Sequence, residues 1–203
     1  MTRRERRIVV GLGGPIGSGK SRVRDAFRIL GEWETIDSDA LAKELYFREE
    51  VRDAIIIRLG KDPVDHSGLL DKATIGLLLR DKKQKRVLEE IVHTALFEEI
   101  ERMRNKKKGG VLLIESAILF TSGLYELCDQ TISVTAPSEI RRQRVLERDR
   151  QKGPAFFDEM EGRQELEKSL LGRSDFFVHN YERHSIIKQV EQITKQIEQY
   201  ARF

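Results

Sequence analysis

The chain has one cysteine, one tryptophan and four prolines in 203 residues. A single thiol, Cys128, forms no disulfide within the chain, and there is no cysteine pattern for zinc. No apolar run approaches the roughly 20 residues of a membrane-spanning helix. The start is basic, but the apolar run behind it is brief and leads into a glycine-rich loop, so it does not read as a signal peptide. An excess of either charge is missing too: 37 Lys and Arg face 34 Asp and Glu, and net charge alone points to no partner. No internal repeat or low-complexity linker interrupts the chain. These absences exclude a disulfide scaffold, a helical membrane protein and a repeat array. They predict one compact domain over 1–203, with room for a small inserted subdomain, in a reducing, cytoplasmic setting.

What is present is concentrated in Gly14-Pro15-Ile16-Gly17-Ser18-Gly19-Lys20-Ser21, which fits G-x-x-x-x-G-K-[ST] at every fixed position. An apolar run, Ile8 to Leu12, precedes it and reads as a buried strand. Val23, Ala26, Phe27 and Leu30 follow at helical spacing, with Gly31 where a helix would stop. A loop between strand and helix is the setting this phosphate-binding motif needs. Gly14, Gly17 and Gly19 let the main chain close around an anion. The amides of the loop and of the first helical turn, Ser18 and Arg22 included, then point at phosphate oxygens. Lys20 would neutralise the β- and γ-phosphates of a nucleotide, and the Ser21 hydroxyl would ligate Mg²⁺. The dinucleotide fingerprint G-x-G-x-x-G is absent, because its last position falls on Ile16 or Arg22.

Glu34-Thr35-Ile36 reads as a second strand, delivering Asp37-Ser38-Asp39 into the turn before a helix over 40–47. Carboxylates at the C-terminal end of a strand lie on the ligand side of an open α/β sheet. Asp39 could equally be a helix N-cap. Residues 49–104 look mostly helical, with stripes at Val51, Ile55 and Leu59, then a helix from Leu69 to Leu79. A longer helix follows, with Val87, Leu88, Ile91, Val92, Ala95, Leu96 and Ile100 on one side. A helical insertion at about 48–108 is where a nucleotide-kinase-like fold would bind its acceptor. His93 lies within that stripe, as a core histidine or as a substrate contact.

Val111 to Ile114 is the clearest central strand, and Glu115 ends it as a Walker B carboxylate would, supporting Mg²⁺ through water. An ordinary strand followed by a polar residue is the bland alternative. Thr131 to Val134 makes a fourth strand, stopped at Pro137. Arg141, Arg142, Arg144, Arg148 and Arg150 crowd the helix that follows, and Gly153-Pro154 breaks it. A charged helix over 158–171 comes next. This arrangement, at about 148–172, predicts a lid that closes arginines over transferring phosphates. A solvated face, or one for nucleic acid, is the alternative; solvation also accounts best for the basic runs at 3–7 and 102–108. Phe176 to Val178 reads as a fifth strand, with His179-Asn180 near an adenine pocket. An amphipathic helix through Ile186, Val190, Ile193 and Ile197 closes the domain. The core is thus 8–47, 110–150 and 174–203.

The order of these motifs resembles the dephospho-coenzyme A kinase family, nearly end to end. The resemblance is carried by the phosphate loop, Asp37-Ser38-Asp39, Ser67-Gly68-Leu69-Leu70-Asp71, His93-Thr94, Ile114 to Phe120 with Ser122-Gly123-Leu124, Pro137, Arg148-Asp149 and Ser174 to Val178. It implies a P-loop nucleoside-monophosphate-kinase-like fold: three α/β/α layers with a five-stranded parallel sheet. It implies ATP-dependent phosphorylation of the ribose 3′-hydroxyl of dephospho-CoA, the last step of coenzyme A synthesis. Asp39 would be the base and Arg148 the lid arginine, with Lys20 the third catalytic residue. Arg144 would join the nucleotide site, and Asp37, His93 and Glu115 the acceptor side. Pro15 stands for a glycine, Arg22 for a small hydroxyl residue, Thr94 for a proline and Thr121 for an acid.

Another small-molecule or nucleoside-monophosphate kinase on the same fold is the nearest rival. A GTPase would carry N-K-x-D, but Asn105-Lys106 continues into Lys107-Lys108. A nucleic-acid-binding ATPase would need stacking aromatics, and no aromatic-rich strand accompanies the arginines. Neither nucleic acid nor membrane is therefore an expected partner, and the sequence leaves the oligomeric state open.

Overall fold

The apolar run before the glycine loop forms β1, Ile8–Gly13, with every residue buried, as a strand flanked and covered on both faces must be. This is a computed structural model, and it describes residues 7–106, 109–182 and 184–201. Arg3, Arg4, Arg6, Lys107 and Lys108 of the basic runs lie outside the described residues. In parallel, β1 pairs with β3 (Val111–Glu115) on one side and with β4 (Gln130–Thr135) on the other. β2 (Glu34–Asp37) adds beyond β3, and β5 (Phe176–His179) beyond β4, giving the order β2-β3-β1-β4-β5. The chain leaves β1 towards one edge and later returns to build the other. That reversal opens a crevice at the carboxyl end of β1, where open parallel sheets bind ligands.

One sheet face carries Ile8, Val10, Leu12, Val111, Leu113, Ile132, Val134 and Val178. It packs against Val23 and Phe27 of α1 (Lys20–Leu30) and against Val190, Ile193 and Ile197 of α9 (Ile186–Ala201). Phe27 stacks on Trp33 with ring centroids 4.5 Å apart. The opposite face has little height to fill at its centre. A Cβ placed on Gly11 would come within 2.9 Å of both Leu119 and Cys128. The connection from β3 to β4, with its 3-10 turn at Leu124–Leu127, therefore lies directly on the sheet. The result is an α/β fold around a five-stranded parallel sheet.

The chain clusters into two compact units: Met1–Asp37 with Arg104–Phe203, and Ser38–Met103. The second holds α2 (Ser38–Leu45), α3 (Glu49–Leu59), α4 (Lys72–Arg80) and most of α5 (Lys82–Lys106). Its apolar stripes are buried as read, at Val51, Ile55, Leu88, Ile91, Val92, Leu96 and Ile100. Two boundaries differ from expectation. The helix read from Leu69 starts only at Lys72, because the Asp71 carboxylate caps the amides of Ala73 and Thr74, while Leu70 bridges to Val64. The helix read from Ala40 starts at Ser38, so Asp39 lies inside its first turn and is not its N-cap.

Beyond β4 come α6 (Ser138–Arg148), α7 (Pro154–Arg163) and α8 (Glu165–Leu170). The single helix expected over 158–171 is thus two helices and a 3-10 turn at Leu171–Arg173. Pro154 occupies the first turn of α7, where its missing N–H costs nothing, and this starts the helix early. Gln164 separates α7 from α8.

Candidate active site

The loop between β1 and α1 is folded for an anion. Gly17 and Gly19 have φ of 76° and 89°, in the left-handed region open mainly to glycine. Their environment excludes side chains as well. A Cβ on Gly17 would lie 2.5 Å from the Arg141 carbonyl, and one on Gly19 2.1 Å from Asn180 Nδ2. α1 has no side-chain cap and no acid in its first turn, so its amides and positive dipole end face the loop unneutralised. Lys20 Nζ donates to the Gly14 carbonyl at 2.8 Å. Pro15 offers no N–H but accepts from Ser18 N at 3.1 Å. The Ser18 hydroxyl is fully buried and has no hydrogen-bond partner among the described residues.

Three distant segments hold this loop. Gln164 Oε1 accepts from Ile16 N at 2.7 Å, and its Nε2 donates to the Ala117 carbonyl at 3.4 Å. Arg141 is buried; it donates to the Ile16 carbonyl at 3.1 Å and makes a two-pronged pair with Glu161 at 2.6 and 2.7 Å. Arg141 holds the Glu161 carboxyl far below its usual range, at about 2. Asn180 Nδ2 donates to the Ser18 carbonyl at 2.7 Å, and Arg144 donates to the Asn180 carbonyl at 2.7 Å. Arg144 also reaches the Gly17 carbonyl at 3.4 Å. Of the arginines read as a lid, Arg141 and Arg144 therefore meet the loop. Arg148 is 64% exposed and pairs with its neighbour Asp149 at 2.7 Å. Arg22 is exposed on α1.

At the carboxyl ends of β2 and β3, Asp37 and Glu115 are register partners. Ser21 Oγ donates to Glu115 at 3.0 Å. Arg24, one turn along α1, places Nη1 2.9 Å from Glu115 and 3.5 Å from Asp37. Burial raises the Glu115 pKa, and Arg24, Ser21 and Lys20 oppose that rise. His93 stacks on Phe97 in α5 with centroids 6.2 Å apart, and burial lowers its pKa, favouring the neutral imidazole. Asp39 and Thr94 are exposed.

Sequence reasoning missed Arg24 and Gln164. Arg24 could have been found, since it lies three residues after Ser21 on the same side of a helix. Gln164 had no local signal; its partner is 148 residues away.

A β2-β3-β1-β4-β5 parallel sheet with a glycine loop and lysine between β1 and α1 defines a P-loop kinase fold. The solved structures agree. A Thermus thermophilus protein superposes with TM-score 0.79 at 24% identity, covering 95% of this chain and 98% of that one. A dephospho-CoA kinase from Campylobacter jejuni gives 0.65 at 20%, with the same coverage; at such identities the likeness is one of fold. Residues 8–185 match the dephospho-CoA kinase family. Among curated relatives, a dephospho-CoA kinase of Porphyromonas gingivalis is 32% identical over 94% of both chains. One of Aquifex aeolicus is 34% identical over 68% of this chain and 72% of its own. The chain belongs to the dephospho-CoA kinase family, and it is an enzyme of the phosphotransferase class.

Proposed function

We propose that the protein transfers the γ-phosphoryl group of ATP to the ribose 3′-hydroxyl of dephospho-CoA, completing coenzyme A. The observation that carries this reading is the cradle of Gly17, Gly19 and Lys20 at the N-terminus of α1, in a chain of this family. Gly14, Ser18, Arg22 and Arg144 complete the nucleotide site. Lys20 binds the phosphates and opposes the charge that builds on them, which with positioning supplies most of the rate in this reaction class.

Mg²⁺ fits the residues present. Ser21 Oγ and the Glu115 carboxylate are oxygen donors side by side. No group of three or more His, Cys, Asp or Glu converges among the described residues. Mg²⁺ bound to a nucleotide needs only one or two protein oxygens, because phosphates and water fill its octahedron. When bound it would supply charge neutralisation to the transferring phosphates. Ser21 would hold it directly and Glu115 through water.

Asp39 accepts the proton of the 3′-hydroxyl as the new bond forms. It follows the last residue of β2 by two positions and is exposed in the first turn of α2. We assign Asp37, His93 and Glu115 to acceptor binding and Arg148 to the phosphates. The helical region at about 48–108 serves the acceptor and that at about 148–172 the lid, within one kinase domain over 1–203. No helix among the described residues is long and apolar enough to cross a membrane; we place the enzyme in the cytoplasm, with neither nucleic acid nor membrane as partner.

The test is incubation with Mg·ATP and dephospho-CoA, followed by mass measurement. Coenzyme A is the expected product. ATP turnover only with some other acceptor would favour the rival kinase reading, and no transfer to any acceptor would end both. Asp39→Asn should bind Mg·ATP normally and lose about 10²- to 10⁴-fold in turnover; a fully active variant would remove Asp39 as base.

A further inference from the structure

Arg24 is not part of the phosphate-loop motif, yet it occupies the place where that motif's metal chemistry is set. Asp37 and Glu115 end adjacent parallel strands at partnered positions. Their side chains leave the same face of the sheet, about 5 Å apart at the backbone. Two carboxylates so placed, with the Ser21 hydroxyl 3.0 Å from one of them, form an oxygen-rich pair that attracts a hard divalent cation. The chain supplies a cation of its own instead. Arg24 Nη1 lies 2.9 Å from Glu115 and 3.5 Å from Asp37, and Nη2 lies 3.5 Å from Asp25. The Arg24 side chain is 21% exposed and that of Glu115 9%, so water screens this contact less than it would at an open surface.

We propose that Arg24 is a positioning residue that keeps free divalent cation out of the carboxylate pair until nucleotide arrives. This rests on the reading of Ser21 and Glu115 as the metal's protein oxygens. A bare ion would have to displace the guanidinium from both carboxylates. An ion carried by ATP brings phosphate oxygens with it, and these supply both most of its ligands and an anion for the displaced guanidinium. Metal loading is thereby tied to nucleotide loading. Arg24 touches neither reacting atom; it acts through Glu115 and Asp37.

Mn²⁺, read by its paramagnetic resonance signal, is the probe. The parent protein without nucleotide should hold Mn²⁺ weakly. Arg24→Met, which keeps the aliphatic stem, should bind one Mn²⁺ on the order of tenfold more tightly. Arg24→Lys, with one cationic centre in place of a fork, should fall between them, and it also serves if Arg24→Met does not fold. With a non-hydrolysable ATP analogue, parent and variants should bind Mn²⁺ alike. Equal nucleotide-free affinity in parent, Arg24→Met and Arg24→Lys overturns the proposal. A separate arm tests the reading beneath it: Glu115→Gln should weaken Mn²⁺ binding in the presence of the analogue. If it does not, the metal site itself is wrong, whatever Arg24 does.

Discussion

Thr121 stands where the family resemblance led us to expect an acid, and its surroundings give the reason. Glu167 of α8 is 1% exposed, and its carboxylate accepts from Phe120 N, Thr121 N and Thr121 Oγ1, the last two at 2.8 and 2.9 Å. A carboxylate at 121 would face a buried carboxylate with no added donor. Thr121 is itself exposed, so Thr121→Val should cost about 1 kcal/mol for the lost hydroxyl bond, and Thr121→Glu about 1–2 kcal/mol for a like charge beside Glu167, read as loss of melting temperature. If Thr121→Glu melts with the parent, the contact is not a constraint. Cys128 shows the same dependence on surroundings. Its thiol sits 3.5 Å from the Leu124 carbonyl, and burial pushes it up to about 12. It should resist a thiol reagent at pH 8 in the folded protein and react fully in denaturant.

At the scale of elements, α7 and α8 are pinned to the rest of their unit by side chains one helical turn apart: Glu161 to Arg141, Gln164 to the loop amide of Ile16, and Glu167 to residues 120 and 121. The sign of the pH effect follows from Glu161. Its folded pKa is about 2, depressed from 4.5, so its contribution is complete above about pH 4.5 and is lost as pH falls towards 2. That contribution amounts to about 3 kcal/mol at most, less whatever solvent screening removes. Glu161→Gln should therefore be less stable than the parent near neutrality, with the gap closing between pH 4.5 and 2. Thermal melts of both proteins across that range check it; a pH-independent gap would mean that the Arg141 pair contributes nothing.

For the whole molecule, nucleotide binding should stabilise the folded state by mass action. At 100 times its dissociation constant, Mg·ATP adds about 2.7 kcal/mol, a rise of about 5–10 °C in a chain of this size. Lys20→Ala, which removes the cation against Gly14 and the phosphates, should lose most of that rise and most turnover while keeping its unliganded melting temperature within a few degrees. Retention of the full shift would show that the amides bind the nucleotide without it.

The local code of the chain determined the five strands, the glycine loop and its helix, and the buried stripes at Val51, Ile55 and Leu88 to Ile100. Each is a short-range pattern: an apolar run, a fixed motif, or side chains three or four residues apart. It failed at the edges that side chains redraw, such as the Asp71 cap and the break at Gln164. Nor could it rank the arginines of α6. All lie on one charged helix, but only the fold turns Arg141 and Arg144 towards the loop carbonyls and leaves Arg148 beside Asp149. Arg24 between Asp37 and Glu115, Gln164 on Ile16 and Glu167 on Thr121 were likewise decided by tertiary structure alone. Each joins groups brought together by strand order and helix packing, and a hydrogen bond across about 150 residues leaves no periodicity in the sequence to read.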